Sequence, residues 1–437
     1  MTTLKKLQGE QGQAIVIFAV GLTMAILCAG IGIDSGLLYA TKVKLTAAVD
    51  GACLTTMKSL AQGQPAAAAL GTKVFDINYG SNPPTPAITF PIDQNGNQQV
   101  KVTATANVHT FFMQLMPQWV TVPVSATATA TRGKLIMSIV VDRSGSMVSD
   151  KGAQALQSAV PTFVGDFNDT TDEVGLISFA SSASVDAPVD YNFKSTIQSK
   201  ISSMTFAGGT FGSGAGAEAI LSTSAGPPLS LAKLQNDSVT VQAGQNVVKV
   251  IVYVTDGLMN TIQDNFACPT TTLLNYGGYD SGSSVDIFQP STGTDWGTYS
   301  SGTGFPYDSR GDICKNSSKQ IVTTFPSQQY GNQRSLSRAN VTAEAQYRAI
   351  QTAIALRTQS PFPTYIFTIG VGSGVSSSTQ AFLAQLANDP SYTSTYISGQ
   401  PAGLFFYIQN CPSSTCTTDI QTAFQTIAAK VMLRLTG

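Results

Sequence analysis

Charge is what this chain has least of. Only 11% of its 437 residues are Asp, Glu, Lys or Arg, against about a quarter in an ordinary globular chain. Its surface must be built largely from Ser, Thr, Gly, Asn and Gln, a cast more common in exported proteins than in cytosolic ones. The net charge is −1, and no basic run extends beyond Lys5-Lys6, which argues against a dedicated nucleic-acid binder. Histidine occurs once, at His109. A His-based triad or multi-His zinc site would need that one residue, which sits in a strand-like stretch (100–110) and reads as a surface or packing side chain. There is no Cys-x-x-Cys pair, so a metal ribbon is disfavoured. There is no Gly-x-x-x-x-Gly-Lys and no evident general base, so the expectation is a protein that is not an enzyme.

One long apolar run is present. Residues 14–33 carry no charge and Asp34 closes the run. At about 1.5 Å per residue this spans roughly 30 Å, the thickness of a bilayer core. A cleaved signal peptide is the competing reading. The run is long for one, Gly30-x-Gly32 is a poor cleavage site, and Cys28 after Leu27 does not fit a lipoprotein box. An uncleaved transmembrane anchor is therefore expected. Lys5 and Lys6 precede the span and Lys42 and Lys44 follow it, so loop charge scarcely sets the orientation. The composition and cysteines of the long remainder favour export, with the N-terminus cytoplasmic.

Beyond Asp34 the helical pattern persists, with Leu38, Leu45, Val49 and Ala52 on one face as far as the break at Gly63-Gln64-Pro65. One helix over 13–61 and a short one over 66–75 are expected. Residues 88–92 and 98–108 flank Gln94-Asn95-Gly96-Asn97, a hairpin signal. Residues 111–116 form a short apolar turn and 120–130 a further strand. The length suggests more than one domain. We divide it into a tail and anchor (1–33), a projecting helix with a small α+β region (34–131), and a C-terminal domain (132–437).

The C-terminal domain is organised around residues 134–147, KLIMSIVVDRSGSM. An apolar, β-branched run reads as a buried strand and ends on Asp142, after which the turn offers Ser144 and Ser146. A carboxylate and two hydroxyls in one loop are hard oxygen donors, suited to Mg²⁺, Ca²⁺ or Mn²⁺. An ordinary Ser-Gly turn is an equally open reading of that pentapeptide alone. A second buried strand, VVKVIVYVTDG (247–257), also ends on an acid, Asp256. Between them AGGT (207–210) offers Thr210. Helices are expected over 153–167, 194–204, 214–222, 341–357, 379–388 and 418–435, with strands over 173–179, 184–193 and 364–371. This alternation implies an α/β, doubly wound, mainly parallel sheet. Residues 258–337 interrupt it as a Gly/Ser/Thr/Asn-rich insertion with little periodicity.

Strand-Asp-x-Ser-x-Ser, then Gly-Gly-Thr, then strand-Thr-Asp-Gly resembles the von Willebrand factor A (vWA) domain. The resemblance implies a Rossmann-like sheet and a metal-ion-dependent adhesion site at Asp142, Ser144, Ser146, Thr210 and Asp256. It implies Mg²⁺ as cofactor, with Ca²⁺ or Mn²⁺ as alternatives. One coordination position would be left for a carboxylate on a protein partner. The N-terminal third, GQAIVIFAVGLTMAI followed by Tyr39, Ala40, Leu45, Ala48, Asp50 and Ala52, resembles the TadE/TadG-like proteins of the tight-adherence (Tad) pilus system. Processed members carry Glu at the fifth position after the cleavage glycine. Counted from Gly12 that position is Ile17, which favours the TadG-like branch, in which this anchor precedes a vWA domain.

Of the six cysteines, Cys268 and Cys314 lie in the insertion and Cys411 and Cys416 in a small loop before the last helix. Bridges 268–314 and 411–416 are expected, because an unpatterned loop gains from a clamp and the chain reads as exported. The expected function is a membrane-anchored adhesion or pilus-assembly protein, periplasmic or extracellular beyond the anchor. Its partner would be a protein with an acidic residue, such as a pilus component or a host or surface protein. A pilin-like structural subunit is the alternative.

Overall fold

The structure is a computed structural model. It describes residues 4–149, 152–179, 183–206, 228–268, 272–280, 285–288, 323–409, 411 and 415–436. Two compact units divide the chain, residues 1–132 and 133–437.

In the first unit a single helix, α1 (Leu4–Lys58), runs through the apolar stretch and on past Asp34. From residue 13 to residue 33 its side chains are exposed except at Gly30. Further along, the helix becomes one-sided. Leu45, Val49, Ala52 and Met57 are buried, the spacing of one helical face. A 3₁₀ turn (Leu60–Gln62) leads to α2 (Gln64–Tyr79), which has a proline in its first turn, where no N–H is missed. The second helix is thus longer than expected. The two helices approach closely at Gly71, where a Cβ would lie 1.9 Å from the Thr56 hydroxyl.

Both helices cover a three-stranded antiparallel sheet, β1 (Ala87–Thr89), β2 (Gln98–His109) and β3 (Thr121–Arg132). Burial alternates along β2, and Val100, Val102, Ala104 and Ala106 join Phe75 in the core. The turn before β2 is tied by Asp93, which accepts from the backbone of Asn95 and Asn97 at 2.9 and 2.8 Å.

The second unit is built on a six-stranded sheet. Its strands are β4 (Lys134–Asp142), β5 (Glu173–Phe179), β6 (Ala183–Asp190), β7 (Val247–Thr255), β13 (Thr364–Val371) and β14 (Phe405–Ile408). Their spatial order is β14-β13-β7-β4-β5-β6. Neighbours are parallel except β5–β6. Strand β4 is buried along its whole length, as a central parallel strand covered on both faces must be.

Alternate residues of the sheet feed two cores. Leu135, Met137, Ile139 and Val141 pack with α4 (Gly152–Gly165), α5 (Phe193–Ser203) and α9 (Cys416–Thr436). Val140, Ile177, Ile251 and Tyr253 pack with α6 (Pro228–Ser238), α7 (Arg338–Arg357) and α8 (Ser377–Ala387). This is the doubly wound α/β arrangement. The edge strand β6 runs antiparallel, and the expected helix over 214–222 lies outside the described residues.

The insertion departs from expectation. It holds a second, antiparallel sheet in the order β10-β9-β8-β11-β12, formed by Thr261–Ala267, Thr272–Asp280, Val285–Phe288, Thr324–Pro326 and Gln333–Ser335 as β8 to β12. A register shift between Asp264 and Phe266 breaks the two-residue period by which a strand is read. Ile262, Phe266 and Phe325 form its core against Val341 and Ala345 of α7. Arg348 of α7 donates to Glu344 (2.7 Å), to the carbonyls of Gln263 and Pro326 (3.1 Å each) and to Asp264. Glu344 in turn accepts from Ser327 Oγ at 2.6 Å and the Gln328 amide at 2.8 Å. Cys411 and Cys416 form a disulfide. Cys314 lies outside the described residues, so the pairing 268–314 stays an expectation.

Candidate functional site

Strands β4 and β7 are parallel neighbours in register from Lys134–Val247 to Val141–Val254. Their carboxyl ends therefore lie side by side, where open α/β sheets hold ligands. Asp142 is the last residue of β4, and Asp256 immediately follows β7. Past Asp142 the chain turns into α3 (Gly145–Ser149), which brings both serines back over the strand ends.

The Asp142 carboxylate is 4% exposed. Its Oδ1 accepts from the Ser144 amide at 2.8 Å, and its Oδ2 accepts from Thr255 Oγ1 at 2.6 Å. The Asp256 backbone N–H also donates to it. Ser144 Oγ and Ser146 Oγ lie 3.1 Å apart, and Ser146 Oγ donates to Asp256 Oδ1 at 3.0 Å. Ser146 is exposed and Ser144 half-buried. The acids thus form the floor of the site and the hydroxyls its open side.

Burial pushes the Asp142 carboxyl above the ordinary carboxylate range, against the donors from Ser144, Thr255 and the Asp256 backbone. Beneath it Tyr253 stacks on Phe179 with ring centroids 5.1 Å apart. Burial, and behind it the charges of Asp142 and Asp256, push the Tyr253 phenol well above its usual value.

Four of the five residues singled out from sequence, Asp142, Ser144, Ser146 and Asp256, come together. Thr210 lies outside the described residues. Thr255 is an addition. Its hydroxyl faces Asp142 because register sets them beside each other, and the only sequence signal was its place directly before Asp256.

The donor set fits a divalent cation. It consists of carboxylate and hydroxyl oxygens, which suit Mg²⁺, Ca²⁺ or Mn²⁺. A buried carboxylate beside a second acid is costly unless a cation or a proton offsets it. Among the described residues no three His, Cys, Asp or Glu cluster, so a cation here would rest on the serine hydroxyls as much as on the acids.

Two family models match parts of the chain. The family model of the von Willebrand factor type A domain matches residues 137–258, which include both acids, both serines and Thr210. The Flp pilus-assembly TadE/G-like family model matches residues 12–58. A TadE/G-like segment ahead of a vWA domain matches the layout of a TadG-like protein. No curated protein matches the chain.

Solved structures similar to it include the PilB minor pilin from Streptococcus sanguinis, at 14% identity and TM-score 0.39, covering 80% of this chain and 79% of that one. The vWF domain of the type V pili tip protein Mfa5 from Porphyromonas gingivalis is 15% identical with TM-score 0.39, over 70% and 97% of the two chains. The pilus adhesin SpaC from Lactobacillus rhamnosus GG is 13% identical with TM-score 0.38, over 82% and 35%. Likenesses this loose carry no conclusion about function. Among the described residues one helix is long and apolar enough to cross a membrane, with mean hydropathy 2.6 in its most apolar window. With the TadE/G-like match it suggests a membrane anchor.

Proposed function

We propose that this protein is a membrane-anchored, non-enzymatic adhesion or pilus-assembly protein whose vWA domain binds an acidic group on a protein partner through a divalent cation. The observation that carries this reading is the convergence of Asp142, Ser144, Ser146 and Asp256 at the ends of two adjacent parallel strands, with a hydroxyl on the open side. Ser144 and Ser146 would hold the cation directly. Asp142 and Asp256 would hold it directly or through water, and Thr210 would join as the site closes. The cation would supply a fixed positive charge for a partner carboxylate. Mg²⁺ suits the set because it keeps waters and needs only one or two carboxylates.

The N-terminus would be cytoplasmic and the vWA domain periplasmic or extracellular, a compartment compatible with the Cys411–Cys416 disulfide. A pilin-like filament subunit is the second reading, favoured by the exposed apolar helix of the TadE/G-like segment. The test is capture of envelope proteins by the full chain in detergent. Partners should be retained in Mg²⁺, released by chelator and lost with Asp256→Ala. Capture indifferent to chelator would overturn the cation-bridged reading. Stoichiometric recovery of the chain from purified filaments would establish the subunit reading instead.

A further inference from the structure

The segment 111–120, FFMQLMPQWV, carries no charge, and the domain core does not absorb it. Phe111 is 65% exposed, Leu115 71%, Met116 42% and Trp119 41%. Left in water, so compact a set of large apolar side chains would be a liability. The segment nonetheless has regular local structure. It connects β2 to β3 as two 3₁₀ turns, Met113–Leu115 and Pro117–Trp119. Its ends are closed by Thr110, whose hydroxyl donates to the Trp119 carbonyl at 2.7 Å and whose amide donates to the Val120 carbonyl at 3.2 Å.

Its position on α1 is fixed by two contacts. The Asp34 carboxylate accepts from the amides of Phe111, Phe112 and Met113 at 2.9, 2.8 and 2.7 Å. Asp34 is fully buried by the turn that it caps. One helical turn earlier, Phe112 packs against Gly30, where a Cβ would fall 2.3 Å from Phe112 Cγ. Gly30 is about 6 Å nearer the apolar stretch than Asp34. The start of the turn therefore lies against α1 where the apolar stretch 14–33 ends.

We infer that this turn is a second membrane contact, with Phe111, Leu115, Met116 and Trp119 seated among the headgroups and first acyl carbons of the bilayer that α1 crosses. The inference rests on the anchor reading of residues 14–33. Three observations favour lipid as the occupant. The apolar set is continuous with a helix surface that is itself exposed and apolar. It carries no charge. It includes a tryptophan, a residue enriched at membrane–water interfaces. Asp34 then does two things: it ends the apolar run, and it spends its carboxylate on three amides of the turn rather than facing lipid as a bare charge.

The experiment uses the full chain in phosphatidylcholine vesicles. Trp296→Phe leaves Trp119 as the only tryptophan. Its fluorescence is read in vesicles whose lipids carry bromine either near the headgroup end of the acyl chain or near the chain terminus. Quenching several-fold stronger by the shallow bromines is expected, with blue-shifted emission. Gly30→Leu should push Phe112 away and reduce that quenching, with the helical circular dichroism unchanged. A control chain with Met24→Trp, Trp119→Phe and Trp296→Phe reports the middle of the span itself and should be quenched best by the deep bromines. If the control chain is quenched and Trp119 is water-exposed, or blue-shifted but unquenched because protein covers it, the turn is not a membrane contact and the anchor stands. If neither chain is quenched, both readings fall.

Discussion

Thr255→Val tests the candidate site at the point the structure adds to it. The hydroxyl donates to Asp142 Oδ2 at 2.6 Å, and both groups are buried, at 2% and 4% exposure. Valine keeps the shape and the β-propensity of the strand but removes the donor. Asp142 keeps the Ser144 amide at 2.8 Å and the Asp256 N–H, so it is not stripped. What is lost is chiefly the hydrogen bond to a desolvated acid, worth about 1.5–3 kcal/mol, together with the weaker contacts by which the same hydroxyl accepts from the Gly257 amide at 3.2 Å and reaches the Gly257 carbonyl at 3.4 Å. For a unit of this size about 2 °C of melting temperature corresponds to 1 kcal/mol, so a fall of about 3–6 °C is expected. The assay is thermal melting of residues 133–437 by circular dichroism in chelator, with Thr255→Ser beside Thr255→Val. Serine restores the hydroxyl and should recover most of the loss. A valine variant melting within about 1 °C of wild type, where a lost charged hydrogen bond should show, would mean that the hydroxyl does not hold Asp142.

Three further outcomes are expected. Mg²⁺ at roughly 100 times its Kd should stabilise wild type by about 2.7 kcal/mol by mass action, and Asp256→Ala should erase that gain; a wild-type melting temperature indifferent to Mg²⁺, Mn²⁺ and Ca²⁺ would show that these loops hold no cation. Arg348→Ala strips Glu344 and Asp264 of their shared guanidinium and should cost about 3–5 kcal/mol locally, seen as faster proteolysis within 258–337 while the six-stranded sheet persists. Burial alone would raise the Asp237 carboxyl, but Lys233, Lys249 and Gln359 overcome it and hold it down to about 2. A depressed acid contributes stability above its unfolded value, lost as pH falls toward the folded one. Asp237→Asn should therefore flatten the loss of stability between about pH 4 and pH 2 by about 1 kcal/mol, after allowing for solvent screening of a partly exposed group; an unchanged acid limb would count against the pairing.

The parts of the fold that could be read in advance are those in which one local pattern decides the outcome. Strands β4 and β7 are apolar runs ending on an acid, and burial on both faces leaves such runs little choice. The Asp-x-Ser-x-Ser turn needed only those strand ends to bring Asp142, Ser144, Ser146 and Asp256 together. Thr255 could not be read, because a threonine at a strand end is ordinary until register places it against Asp142. The insertion sheet was hidden by its bulge and by strands as short as Thr324–Pro326. Strand β14, four residues long with half-buried aromatics at its start, shows no alternation. Helix α6 opens at Pro228, directly after another proline. Such a pair reads as a break, although proline is well placed in a first helical turn.

The insertion is joined to strand β7 more closely than its composition suggests. Only Gly257 separates Asp256 from Leu258 and Met259, and both of these pack against the core under the sheet. Met259 also packs against the separate core of the insertion, beside Ile262, Phe266 and Phe325. One side chain is thus shared by the two cores, three residues after Asp256. On the far side, α7 contributes Ala349, Ala353 and Leu356 to the first core and Val341 and Ala345 to the second. The insertion sheet is therefore held at both ends by elements of the vWA sheet. Close-packed cores transmit small displacements rather than absorb them.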